Sequence, residues 1–162
     1  MANERVLDEI DRQILSVLQA DGRITNVKLA SEVGLSPPTV LERVRKLEER
    51  GVIEKYVALL NPATVGRGMI AFVLVSLTEH TKKSIERFRK EILRQAEVLE
   101  CYHLAGEGDF LLKVIERDIE AYKDFLVGKL TGMYGVGQVR TMIVFETLKR
   151  ETAVPVNEAN EE

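Results

Sequence analysis

The chain has 162 residues, 45% hydrophobic and 30% charged, with a net charge of −3. That length holds one medium domain or two small ones with a genuine core, and no apolar run approaches the roughly 20 residues of a membrane-spanning helix. The start, MANERVLDEIDRQ, carries acidic residues where a secretory leader needs a basic start and an apolar run, and the single cysteine, Cys101, sits in an apolar run and cannot form an internal disulfide. Together these point to a reduced, cytoplasmic setting with Cys101 as a core residue.

In chain order, Leu7, Ile10, Ile14, Val17 and Leu18 recur at helical spacing, with Asp8, Glu9 and Asp11 at the dipole-favoured start and Gly22 at the stop. A second helix starts at Thr25 or Asn26, both good N-caps, is expected to bury Val27, Leu29, Ala30 and Val33, and stops at Gly34. Ser36 caps a third helix, Pro37 falls in its first turn, and Gly51 ends it. Two short helices joined by a tight turn over residues 25–51 form the unit that DNA-binding proteins push into a major groove.

On a helical wheel Val40, Val44 and Leu47 of the third helix face its neighbours, with Thr39, Glu42, Lys46 and Glu49 opposite. Arg43 and Arg45 flank the buried stripe and Arg50 lies near the end. A solvated amphipathic helix with pairs such as Glu42–Lys46 is the bland alternative. The preceding helix and turn favour a DNA contact, because they put Ser36, Pro37, Pro38 and Thr39 at the tip that enters a groove. The DNA-contact set is therefore Thr25, Asn26, Ser36, Pro37, Pro38, Thr39, Glu42, Arg43, Arg45, Lys46 and Arg50, with the arginines suited to phosphate or to a guanine edge. Any positive field must be local, since the net charge gives it no support.

Residues 52–60, VIEKYVALL, read as a linking strand, and residues 63–68 as a linker with two glycines. Strands are expected at 69–77, 98–105, 110–116 and 139–148, with helices at 84–95 and from Asp118 to about Leu130. The order β-α-β-β-α-β is the ferredoxin-like pattern, an antiparallel sheet with both helices on one face. The fold class is α+β: a winged-helix-like helix-turn-helix domain with its linking strand (1–62), then a ferredoxin-like domain (69–150). The acidic end, 151–162, is expected to be disordered. In MIAFVLVSL both alternating residue sets are apolar, so the face the helices leave open needs a partner, most simply a second copy.

The segments LDEIDRQILSVLQADGRITNVKLASEVGLSPPTVLERVRKLEERGVIEKYVALLNP, ECYHLAGEGDFLLKV and VRTMIVFETLK resemble the Lrp/AsnC family of feast/famine regulators over residues 7–149. The resemblance implies an N-terminal helix-turn-helix, here Asn26 to Arg45, and a C-terminal amino-acid-sensing domain. It also implies dimers that build tetramers, octamers or larger assemblies on DNA. It places an amino-acid effector at the central hairpin turn, here Ala105, Gly106, Glu107, Gly108 and Asp109, completed by Thr141 and Met142. The turn suits such a ligand: its glycines let backbone N–H groups approach a carboxylate, and Asp109 or Glu107 can receive an ammonium. A plain hairpin turn is the alternative.

No metal and no cofactor are expected, because His80 and His103 lie far apart with no ligand at metal spacing. Gly132, Gly135 and Gly137 follow a helix and precede a strand, the reverse of a dinucleotide fingerprint. The leading reading is a non-enzymatic regulator that binds double-stranded, two-fold operator DNA and responds to an amino acid. Alternatives are an effector-independent architectural DNA binder and an enzyme resembling the sirohaem decarboxylases, with His103, Tyr102 or Arg140 at a tetrapyrrole.

Overall fold

Each N-terminal helix begins where a short polar side chain receives a backbone N–H, as the sequence predicts for the second and third. In the computed structural model, which describes residues 7–156, Asp8 caps α1 (Glu9–Ala20), Thr25 caps α2 (Asn26–Glu32) and Ser36 caps α3 (Pro37–Glu49). Gly34 stops α2 at φ +67°, a left-handed conformation that gives the sharp turn into α3. The three helices bury Ile14, Leu15, Leu29, Ala30, Val33, Val40, Val44 and Leu47. Val27, expected inside, is 67% exposed. At 100° per residue it falls outside the arc of Leu29, Ala30 and Val33.

An ion-pair clamp fastens α3 to α1. The Arg43 guanidinium donates to Asp8 Oδ2 and to Asp11 Oδ1, each at 2.7 Å. Asp11 is buried and Arg43 is half-buried. The bond from Arg43 holds the Asp8 carboxyl below its ordinary value, and Asp8 and Asp11 together push the guanidinium up.

Two compact units emerge, one running to Leu59 and taking in the segment from Lys149, the other Leu60–Leu148. The expected linking strand at 52–60 is absent, since no ladder partner for it exists among the described residues. A 3-10 turn (Ala63–Val65) occupies the expected linker. The end of the chain departs from the expected loose tail: residues 149–156 belong with the helical unit, where Val156 packs on its core. Residues 157–162 lie outside the described residues.

The second unit is a sheet of β1 (Met69–Leu77), β2 (Val98–His103), β3 (Phe110–Glu116) and β4 (Val136–Ile143), in the order β2-β3-β1-β4. All three pairings are antiparallel. The crossover helices are α4 (Lys82–Ile92), capped by Thr81, and α5 (Ile119–Phe125), capped by Asp118 and extended by a π-helical turn, Leu126–Leu130. Both pack on one face, where Phe88, Ile92, Tyr122, Phe125 and Leu130 meet Ala71, Val73, Val75, Phe110, Leu112 and Val114. The expected last strand ran to 148, but β4 stops at Ile143, opposite Ala71, with one further bond from Val144 N to Ile70 O at 2.9 Å. Phe145 and Leu148 beyond it are exposed.

Replacing Arg43 with methionine keeps an apolar stem and a good helix former but leaves the buried Asp11 without its guanidinium. The expected cost is about 1–2 kcal/mol, read from denaturant unfolding of the full chain. Asp8 is depressed in the folded state, so its contribution is complete at neutral pH and is lost as pH falls through the folded value. The stability gap between wild type and Arg43→Met should therefore narrow as pH drops below about 4.

Candidate nucleic-acid interface and ligand turn

The tip of α3 is built as a rigid polar point. Ser36 Oγ accepts from Thr39 N at 3.4 Å and shares a 2.7 Å hydrogen bond with the Thr39 hydroxyl. Pro37 and Pro38 occupy the first helical positions, where a missing N–H breaks no helical bond. Ser36, Pro37, Pro38 and Thr39 are all exposed, as are Thr25 and Asn26 at the start of α2.

The basic residues separate into two groups. Arg43, one of the expected DNA contacts, is committed to the clamp on α1, so a phosphate would have to compete with two carboxylates. Arg45 and Lys46 project outward in exposed i,i+4 pairs, Arg45 with Glu49 at 3.3 Å and Lys46 with Glu42. Such pairs are worth little and exchange readily for phosphate. Arg50 is exposed at the helix end.

The hairpin turn between β2 and β3 is held chiefly by Asp109. Its backbone N–H donates to Val75 O at 2.9 Å, and its carbonyl accepts from Leu104 N at 2.8 Å. Its carboxylate accepts from Leu77 N at 2.7 Å and lies 3.0 Å from His80 Nε2. Asp109 is thus engaged in shaping the turn, and the expectation that it receives a ligand ammonium passes to Glu107. Glu107 is exposed and pairs with Arg140 of β4 at 2.9 Å. Gly108 has φ +76°, and a Cβ placed there would lie 2.7 Å from Leu74 Cγ and Cδ1. Only glycine lets the turn close on β1.

The two expected β4 residues do not share a face. Thr141 pairs with Val73 on the helix side, and its hydroxyl bonds the Tyr122 hydroxyl. Met142 lies on the open side opposite Phe72 and is exposed. Arg140 is the residue that sequence reading missed for this site. Leu74 pairs with Arg140 on one side and Leu111 on the other, which brings Arg140 to the turn. A β1–β4 register derived from the alternation of both strands could have found it.

His103 and Tyr102, named in the enzymatic reading, each have a neighbour of their own. His103 stacks on Phe110 with centroids 4.8 Å apart, while Tyr102, one position back on the strand, donates to Glu100 at 2.6 Å. Burial pushes the Cys101 thiol up. Among the described residues no group of three His, Cys, Asp or Glu side chains is placed to hold a metal, and no helix is long and apolar enough to cross a membrane.

Comparison with known proteins bears on both units. The model of a winged helix-turn-helix DNA-binding domain matches residues 7–54, and that of the Lrp/AsnC ligand binding domain matches residues 70–154. The leucine-responsive regulatory protein of Escherichia coli K12 is 41% identical over 150 residues, spanning 93% of this chain and 92% of that protein. The Klebsiella pneumoniae protein of the same name matches equally. Among solved structures, a Neisseria meningitidis transcriptional regulator in complex with L-Met superposes with a TM-score of 0.89 at 38% identity, covering 93% of this chain and 97% of that one. A feast or famine regulatory protein of Mycobacterium tuberculosis, complexed with L-methionine, gives 0.82 at 35% identity over 90% and 96% of the two chains. Both units thus find their match over nearly the whole chain, and the chain belongs to the Lrp/AsnC family of DNA-binding transcriptional regulators.

Proposed function

We propose that this regulator acts in the cytoplasm, without enzymatic activity, as a homodimer or a larger assembly on two-fold operator DNA, and that an amino acid modulates it. The observation that carries the DNA part is the capped, exposed α3 tip with Arg45 and Lys46 behind it in exchangeable surface pairs. The tip residues read the groove, while Arg45 and Lys46 bind phosphate. Arg43 serves by fixing the angle of α3 on α1.

Pairing of copies is supported by the sheet face that α4 and α5 leave open. Ile70, Phe72 and Leu74 of β1 and Leu111 and Ile115 of β3 alternate away from the helix-covered core. A surface of this chemistry is costly in water, and a second copy is its simplest cover. Sedimentation at micromolar concentration should give a dimer or larger; a monomer would remove this part of the reading.

The ligand part rests on the Glu107–Arg140 pair beside the glycine turn. An amino-acid zwitterion carries the two charges that match it: the ammonium takes Glu107, and the carboxylate takes Arg140 with the turn's N–H groups. Two relatives are described as complexes with L-methionine, which makes it the first probe.

Two measurements test these readings. In fluorescence anisotropy against the protein's own upstream region, Arg45→Ala and Lys46→Ala should each weaken binding several-fold and reduce the salt dependence by about one counterion. Absence of specific binding by the wild type at moderate salt would overturn the regulator reading for this DNA. In a thermal-shift screen of the amino acids, one binding at 100 times its Kd should stabilise the fold by about 2.7 kcal/mol. Glu107→Gln and Arg140→Met should abolish that shift while leaving the unliganded melting temperature nearly unchanged. Gly108→Ala should instead lower that temperature, at about 2 kcal/mol or more, through the strained φ and the clash with Leu74.

A further inference from the structure

We propose that the outer edge of α4 is a second, sequence-independent DNA-binding surface, which takes the phosphate backbone of duplex DNA. Residues 82–94, KKSIERFRKEILR, carry six Lys or Arg against two Glu in a chain whose net charge is −3. Ser84, Phe88 and Ile92 form the buried stripe, and all six cations are exposed. At 100° per residue Lys83, Arg87 and Lys90 fall within an arc of about 60°. Arg94, in the turn that continues the helix through its bond to Glu91 O, extends the same line. Successive charges are separated by about 5 Å of helix rise, and the row runs about 16 Å. Arg87 is held in it between Glu91 at 3.1 Å and the Tyr134 ring, whose centroid lies 4.1 Å from the guanidinium carbon. Among the described residues no carboxylate lies within ion-pair distance of Lys83, Lys90 or Arg94.

Helix stability does not account for this row. Lys82 and Lys83 occupy the first turn of α4, which holds no acid, although the helix dipole favours acids there. α1 and α5 do place acids in their first turns. Lys83–Arg87, Arg87–Lys90 and Lys90–Arg94 are like-charge neighbours at i,i+4 or i,i+3, each unfavourable in a helix by itself. α3 is the contrast, since its Arg45 and Lys46 sit beside Glu49 and Glu42. A straight row of cations suits a linear polyanion whose charges repeat, whereas a small anion would engage one or two of them. Protein interfaces centre on apolar or aromatic anchors, but Leu93 lies about 90° from the centre of the row and the Tyr134 ring lies beneath Arg87. The sheet face proposed above for pairing is the one α4 does not cover, so a dimer through it leaves the row free. The inference rests on DNA being this regulator's ligand and goes beyond the operator reading, because backbone charges carry no sequence.

Lysine acetylation of the full chain, read by mass spectrometry with and without a duplex of unrelated sequence at low salt, locates the contact. The duplex should protect Lys83 and Lys90 several-fold, and Lys82, on the other flank of α4, should stay reactive. Lys46 reports the helix-turn-helix in the same experiment, so the two readings fail separately: protection of Lys46 without Lys83 and Lys90 overturns this proposal alone. In anisotropy titrations with the same duplex, Lys83→Gln/Lys90→Gln should weaken binding several-fold and lower the salt slope by about 2. Lys82→Gln/Arg89→Gln makes the same change of net charge and should leave the slope nearly unchanged. Equal effects of the two pairs would show a diffuse field in place of a row and would refute the site. Glutamine is a good helix former, and like-charge contacts are relieved, so the melting temperature of Lys83→Gln/Lys90→Gln should be no lower than that of the wild type. Poly-glutamate that protects Lys83 and Lys90 where the duplex does not would assign the row to an acidic protein and refute the DNA contact.

Discussion

The second unit depends on one constraint: β1 is hydrogen-bonded on both edges, to β3 and to β4, and so fixes the register of both. Its alternate residues Ala71, Val73, Val75 and Leu77 are buried under α4 and α5. A slip of one residue would turn that entire set to the open face. The same register places Leu74 beside Leu111 and Arg140, lets Gly108 close over Leu74, and brings Arg140 to Glu107. The geometry of the hairpin turn thus follows from core packing.

In the helical unit the analogous constraint is electrostatic. Arg43 ties the start of α1 to the middle of α3. A charge that looks available for DNA in a helical wheel is withdrawn to hold the angle between helices. The division of labour among the basic residues of α3 follows from burial: Asp11 is buried and needs a cation, whereas Glu42 and Glu49 are solvated and release theirs cheaply. A protein of net charge −3 can therefore still present a local cationic edge beside an uncharged tip.

Legibility in the sequence followed the range of the interaction. Thr25, Ser36 and Asp118 were readable as caps because a cap bonds an N–H only two or three residues away. The order of strands and helices was readable from hydrophobic period, and with it the ferredoxin-like arrangement. Strand ends were not: β4 was expected to run to 148 on its apolar pattern, whereas its ladder with β1 ends at the Ala71–Ile143 pair. Residues 52–60 have the composition of a strand but no partner within the described chain. Val27 misled because one apolar residue in a short helix does not fix which arc is buried. In the candidate sites, the exposed tip residues lay where the caps implied, whereas the bonds of Asp109 to Leu77 and His80 join residues about thirty positions apart and no local pattern shows them.

The sequence by itself determined the order of helices and sheet strands and the family, because each rests on local spacing or on motifs long enough to be specific. Only the tertiary structure decided that Arg43 is a clamp, that Thr141 and Met142 point to opposite faces, that Arg140 joins the turn, and that Val154 returns to α1. Each of these depends on a pair of residues far apart in the chain, and their meeting is set by register and burial, which no local pattern encodes.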